Sequence, residues 1–348
     1  MDFFEHGGRN GGTNISYDFS ANINPLGMPD AATQVLQREW KRAESYPEET
    51  SRTLCEAIAR QWQAKEAQLV CTNGASELIY AAVRALKPAA GLILAPAFSE
   101  YERALLAADC PVRCFPLRRE NGFQAEEGLL TFLEQQPSGS LLFLCNPNNP
   151  TGIIIPQDLL EEILETCAMQ GIFMVVDECF LDFVKDPEKH TLKGKLEKYP
   201  GLFILKAFTK RYAIPGVRLG YGFCSDREVL DRMEAVTQPW NVSTMAQQAG
   251  MAALKESEYV EAGRQIIFRE SAWMKEKMRQ VGLTVYPSEA NYIFFYGPED
   301  LFERCVAKGI LIRDCSNYPG LKKGYYRVAV KLHEQNKKLI EVLEEVLS

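Results

Sequence analysis

The chain alternates between short apolar runs and longer stretches in which apolar residues recur every three or four positions. Ala67–Asn73 (AQLVCTN) is a run of the first kind, and Ser76–Lys87 (SELIYAAVRALK) is a stretch of the second. The run predicts a buried strand and the stretch an amphipathic helix. The same alternation continues through GLILAPAF, EYERALLAAD, SLLFLCNPNNP, QDLLEEILETCAMQ, IFMVVDECF, LFILKAFTK and LGYGFC. Apolar strands without polar alternation, separated by helices, predict a parallel sheet covered on both faces. From about Val242 the pattern changes. A long helical stretch, MAQQAGMAALKESEYVEAGRQIIFRESAWMKEKMRQVG, leads to strand-like LTVYP and NYIFFY. A helix near FERCVAKG, a strand YYRVAV and a terminal helix follow. The expected organisation is an arm with one helix over residues 1–44, a large α/β domain over 45–241, and a smaller α+β domain over 242–348. There are no internal repeats.

Composition narrows the function classes. The 348 residues are 46% hydrophobic and 24% charged, enough for a sizeable core. A net charge of −7 gives no basic field for nucleic acid. The segment MDFFEHGGRN has no basic region followed by an apolar run, which predicts no signal peptide. No apolar run reaches the roughly 18 residues of a membrane span. The ten cysteines form no C-x-x-C pair, and no His completes a metal site. Cys71, Cys145, Cys179 and Cys224 fall inside strand-like runs, where free thiols pack as small hydrophobes. That usage predicts a cytoplasmic location.

In open α/β sheets ligands bind at the carboxyl ends of the strands. The polar residues at those ends therefore form a candidate site. Asn73-Gly74-Ala75-Ser76 opens a helix after one strand, where backbone N–H groups can hold a phosphate. Ser76 could equally do no more than cap that helix. NPNNPTG presents Asn148 and Asn149 from a turn fixed by proline and glycine. Asp177 directly follows an apolar strand, where a carboxylate needs a cation, a donor or a helix to cap. Thr209-Lys210 follows the next strand, and Arg218 lies eight residues further on. An aldehyde on a phosphorylated pyridine would use all of these. A lysine would form its Schiff base, a carboxylate would keep its ring nitrogen protonated, and hydroxyls, N–H groups and Arg would cup its phosphate.

The set Asn149, Asp177, Thr209-Lys210 and Arg218 resembles the fold type I enzymes dependent on pyridoxal 5'-phosphate (PLP), in the histidinol-phosphate aminotransferase branch. The segments HGG (His6–Gly8), DFSANINPLG, AFSEY, TKRYAIPGVRLGY and RDCSNYPGL resemble threonine-phosphate decarboxylases. Such enzymes make the aminopropanol phosphate of the cobalamin nucleotide loop. The resemblance implies a homodimer and assigns roles. Lys210 carries the Schiff base, Asp177 pairs with the pyridinium nitrogen, Tyr101 stacks on the ring, and Asn149 donates to the ring 3-oxygen. Gly74, Ala75, Ser76, Thr209 and Arg218 hold the cofactor phosphate, joined by Tyr46 from the other subunit. Arg327 takes the substrate carboxylate, Arg313 and His6 its phosphate, and Asn22 is a further substrate contact. Many relatives have a tyrosine where this chain has Phe180, which removes one hydrogen bond from the ring oxygen. Lys206 and Arg211 have no assigned anion: the resemblance offers Lys206 the substrate side as one option, and Arg211 reads as a partly solvated charge.

These enzymes break the Cα bond that stands perpendicular to the ring. Residue chemistry alone leaves decarboxylation and transamination both open. The end motifs point to decarboxylation of O-phospho-L-threonine. The alternatives are O-phospho-L-serine, which differs by one methyl, and a histidinol-phosphate-type aminotransferase. A PLP-sensing regulator would need a DNA-binding segment, and the arm is too short and too weakly basic for one.

Overall fold

The computed structural model describes residues 7–8, 14–126 and 128–348. Seven strands form the main sheet: β1 (Leu69–Thr72), β2 (Gly91–Ala95), β3 (Val112–Pro116), β4 (Leu141–Cys145), β5 (Phe173–Asp177), β6 (Leu202–Ala207) and β7 (Gly220–Cys224). Their order is β1-β7-β6-β5-β4-β2-β3. β2 to β6 run parallel, whereas β7 is antiparallel to both β1 and β6. This is the fold type I architecture, a mostly parallel sheet covered by helices.

The apolar runs bury both faces because successive side chains point to opposite sides of a strand. Leu141, Phe143, Val175, Phe203 and Leu205 enter one core cluster. Their chain neighbours Leu142, Leu144, Met174, Val176, Leu202 and Ile204 enter the other. Each such side chain removed from water contributes about 1.5–3 kcal/mol before the entropy of ordering is subtracted. β3 was invisible in the pattern. It lies at the sheet edge and keeps only Phe115 buried, so its sequence VRCFP carries no apolar run.

A second, antiparallel sheet follows from β8 (Thr284–Val285), β9 (Tyr292–Tyr296), β10 (Arg313–Asp314) and β11 (Tyr325–Ala329), in the order β10-β11-β9-β8. The long helical stretch ahead of it is two helices, Thr244–Ala253 and Ser257–Gln280. Residues Tyr17–Asp18 pair in parallel with Ile310–Leu311, so the arm is stitched to this later part of the chain. The Ala329 N–H also donates to the Phe19 carbonyl at 2.8 Å. These tethers bring residues 18–23 over the carboxyl ends of β5 and β6. Among the described residues no helix is long and apolar enough to cross a membrane.

Candidate active site

A cavity of about 460 Å³ opens where β4, β5 and β6 end. Asp177 is the last residue of β5, and Lys210 lies on the four-residue helix Phe208–Arg211 that follows β6. Both side chains line the cavity. Asp177 is held from two directions. Its Oδ2 accepts the Tyr101 hydroxyl at 2.6 Å, and its Oδ1 accepts the Cys179 N–H at 2.9 Å. Its orientation is thus set by the fold before any ligand arrives. Burial pushes the Lys210 ammonium down to about 8, with Arg327 and Arg218 adding to the fall and Cys179 and Asp177 opposing it. A lysine so tuned holds far more neutral, nucleophilic amine near neutral pH than an ordinary one.

One end of the cavity is built for a phosphate. Helix Ala75–Leu86 starts there, with its free N–H groups and positive dipole end facing in. Gly74 precedes it at φ +84° and ψ 156°, a conformation reserved for glycine. A Cβ at Gly74 would lie 2.5 Å from Arg218 Nη2. A Cβ at Gly220, where β7 begins, would lie 2.3 Å from the Ala75 nitrogen. Two glycines therefore let the guanidinium and the helix start close on one point. Ala75, Ser76, Thr209 and Arg218 all line the cavity here, and Arg218 Nη1 donates to the Pro215 carbonyl at 3.1 Å.

The opposite side is a carboxylate seat. Arg327 on β11 is only 5% exposed. Its Nη1 donates to Asn149 Oδ1 and its Nη2 to the Ser20 carbonyl, the latter at 3.0 Å. Its Nε is buried with no hydrogen-bond partner among the described residues. Asn22, 2% exposed, also lines the cavity, and its Oδ1 is buried without a partner among the described residues. A buried donor and a buried acceptor without partners, both in one cavity, mark places where a polar ligand restores hydrogen bonds.

Several expected positions change. Tyr101 is fully buried and does not line the cavity. It stacks on Phe143 with centroids 5.0 Å apart and sends its hydroxyl to Asp177. Phe98 is the aromatic of AFSEY that lines the cavity. The reason is helical geometry. The helix begins at Ser99, so Tyr101 falls on its first turn and faces back into the core. Phe98 is the last residue before the helix, at the strand-end position where ligand-facing residues cluster. That signal was available in the sequence. Arg313 is also displaced from the cavity lining. It lies directly across from Arg327 in the β10–β11 pair, with its guanidinium over the Tyr318 ring, and Tyr318 is the residue that lines the cavity. Arg313 Nη2 donates to Asn317 Oδ1 at 2.9 Å. Tyr46 is 81% exposed and stacks on Trp240, away from the cavity. Phe180 does line it, edge-on to Tyr292. His6 lies outside the described residues, while Gly7 and Gly8 line the cavity.

The remaining two cations are placed differently from expectation. Lys206 does not line this cavity but is buried against Glu178 and Asp182. Arg211 is an ion-paired residue, bonded to Asp182 and largely buried.

A mostly parallel sheet with a lysine, a carboxylate and a phosphate cradle at its strand ends defines a PLP-enzyme scaffold. The chain belongs to the aminotransferase class I and II family, whose model matches residues 15–343. The threonine-phosphate decarboxylase of Salmonella typhimurium is 38% identical over 95% of this chain and 91% of that protein. The adenosylcobalamin biosynthesis bifunctional protein CobDQ of Leptospira interrogans is 30% identical over 99% of this chain, which spans 41% of that longer protein. Among solved structures, the histidinol-phosphate aminotransferase of Clostridium acetobutylicum superposes with a TM-score of 0.88, at 28% identity, over 95% of this chain and 99% of that one. The family's cofactor is PLP. The residues present fit it: the glycine cradle beside Arg218, the carboxylate fixed by Tyr101, and the depressed lysine amine stand around one cavity.

Proposed function

We propose that the protein decarboxylates O-phospho-L-threonine, releasing CO2 and (R)-1-aminopropan-2-yl phosphate for the cobalamin nucleotide loop. The observation that carries this choice is the 38% identity to a threonine-phosphate decarboxylase across 95% of the chain. The cavity residues suit the chemistry. Bound PLP supplies an aldehyde for a Schiff base and a protonated ring that takes up the electron pair left when a bond at Cα breaks. Lys210 would hold the aldehyde and later deliver a proton to Cα. Asp177 would keep the ring nitrogen protonated, and Phe98 would pack on the ring face. Asn149 would keep its amide nitrogen for the ring oxygen, because its Oδ1 already accepts from Arg327. Gly74, Ala75, Ser76, Thr209 and Arg218 would hold the cofactor phosphate.

Arg327 would seat the substrate carboxylate, using the Nε that has no partner among the described residues. By fixing the carboxylate's orientation, Arg327 would favour loss of CO2 over loss of the Cα proton. One proton then replaces one CO2 at Cα, and no amino acceptor is consumed. Asn22 would accept a substrate donor. Arg313, across from Arg327 in the small sheet and next to the cavity-lining Tyr318, would bind the substrate phosphate, and His6 would join it. The enzyme would work as a cytoplasmic homodimer. Tyr46, exposed and stacked at 4.6 Å on Trp240, would reach the phosphate cup of the partner subunit.

The test is direct. Purified protein is incubated with PLP and, separately, O-phospho-L-threonine, O-phospho-L-serine, or histidinol phosphate with 2-oxoglutarate. CO2, amine and glutamate are measured. CO2 and amine in equal amounts from phosphothreonine are expected. Stoichiometric glutamate without CO2 would make the protein an aminotransferase.

A further inference from the structure

Beside Asp177 and Lys210 lie charges that the proposed reaction does not use. The catalytic cavity takes Cys145, Cys179 and Ala207 from one core layer, while Trp62, Phe208, Tyr212 and Tyr221 pack in the other. On that second side lie Glu178, Asp182 and Lys206, exposed by 1%, 4% and 2%. Lys206 Nζ is 3.4 Å from Glu178 Oε2 and 3.8 Å from Asp182 Oδ1. Arg211 Nη1 donates to the same Asp182 Oδ1. Glu178 further accepts the Thr191 hydroxyl at 2.8 Å and the Leu192 N–H at 3.2 Å. Arg264 Nε donates to the Asp182 carbonyl at 3.0 Å. Lys206 and Arg211 both lie over the Trp62 indole, at 4.2 and 5.4 Å.

Such a cluster is a poor way to gain stability. Desolvating several charges offsets most of their mutual attraction, and apolar replacements of similar volume are often as stable. What the cluster does have is connectivity. Glu178 is the residue after Asp177, and Arg211 is the residue after Lys210. The helix that carries Lys210 is four residues long, and one turn does not hold itself in place. Its outside tethers include the Phe208 N–H on the Leu219 carbonyl, the Asn24 N–H on the Lys210 carbonyl and Asn24 Nδ2 on the Arg211 carbonyl; the one made by a charged side chain of the helix is the Arg211 guanidinium on Asp182.

We propose that Asp182 is a positioning residue: by binding Arg211 and Lys206 together, it fixes the turn that carries Lys210 against the strand end that carries Asp177. This rests on the Schiff-base role given to Lys210 above.

The variants are Asp182→Asn, Arg211→Met and the double variant. The first reading uses apo-protein and no substrate. Reductive methylation of Lys210 by formaldehyde and cyanoborohydride is followed against pH by peptide mass. Arg327, Arg218, Cys179 and Asp177 face this amine and remain unchanged in every variant. A Lys210 freed from its seat regains solvent, so its midpoint should rise by about half a pH unit or more. The second reading is kinetic: kcat should fall about tenfold or more while KM stays within about twofold. Arg211→Lys, which keeps the cation, should recover part of both. The double variant should lose no more than the worse single one, because one contact is removed twice. If Arg211→Met does not accumulate folded, Asp182→Asn carries the same two readings. A wild-type midpoint and kcat in Asp182→Asn, with only a lower Tm, would overturn the proposal and leave the cluster structural. The methylation midpoint stands whether or not phosphothreonine proves to be the substrate, so the two readings fail separately.

Discussion

Replacing Tyr101 by Phe removes one oxygen and leaves the ring where it is. The ring stays stacked on Phe143 at 5.0 Å and edge-on to Phe98 at 5.6 Å. What is lost is the 2.6 Å hydrogen bond to Asp177 Oδ2. Asp177 is 6% exposed and cannot recover that bond from bulk water. A hydrogen bond to a charged group contributes about 1.5–3 kcal/mol. Where that whole loss falls on cofactor binding or the transition state, it corresponds to about 10- to 150-fold. Apo-protein would be titrated with PLP by absorbance, and kcat/KM would be measured on phosphothreonine. The combined loss in Tyr101→Phe should fall in this range. Phe98→Ala should weaken PLP binding through lost ring packing, by an amount that Phe98→Tyr largely restores. The reasoning fails if Tyr101→Phe matches wild type in both assays. Tyr101 would then act through its ring alone, as an aromatic stacked on the cofactor would.

Gly74→Ala places a methyl 2.5 Å from Arg218 Nη2 in a conformation reserved for glycine. The backbone strain alone is about 1–3 kcal/mol, so PLP affinity should fall by about tenfold or more, as equilibrium dialysis would report. The Lys210 amine, depressed to about 8, is charged below that pH and neutral above it. The rate at which apo-protein binds PLP covalently should therefore rise through pH 8 and level off, and Lys210→Ala should show no visible Schiff-base band at any pH. The sign for stability follows from the same shift. A lysine that folds with a lowered value opposes folding fully below about 8, and that penalty is relieved as pH rises toward the unfolded value of 10.5. Urea unfolding of apo Lys210→Met at pH 7 should accordingly show greater stability than wild type, with the difference shrinking as pH rises. Mixed Tyr46→Phe and Lys210→Ala subunits should give some dimeric sites with both residues intact, and hybrids that behave as if both act within one subunit would remove Tyr46 from the partner's site.

Local patterning was enough to read the alternating strands and helices, because burial on both faces writes apolar runs directly into the chain. Chain spacing was also enough to bring Asp177, Lys210 and Arg218 to one cavity, since Asp177 closes a legible strand, Lys210 follows the next, and Arg218 lies eight residues beyond it. The edge strand β3 left no such mark, and the antiparallel entry of β7 depends on which neighbour it pairs with, not on its own residues. The exchange of Tyr101 for Phe98 turned on where one helix starts: Phe98, just ahead of Ser99, lines the cavity, and Tyr101, three residues on, turns into the core. Arg313 was placed behind Tyr318 by the β10–β11 register. Lys206 and Arg211 carried visible charges, but their anions come from Glu178 and Asp182, about thirty positions earlier in the chain. A sequence displays each residue's chemistry and its period along one element. The partner across the sheet is decided when strands take their neighbours, and only then does a buried charge acquire its anion and a carboxylate its hydroxyl.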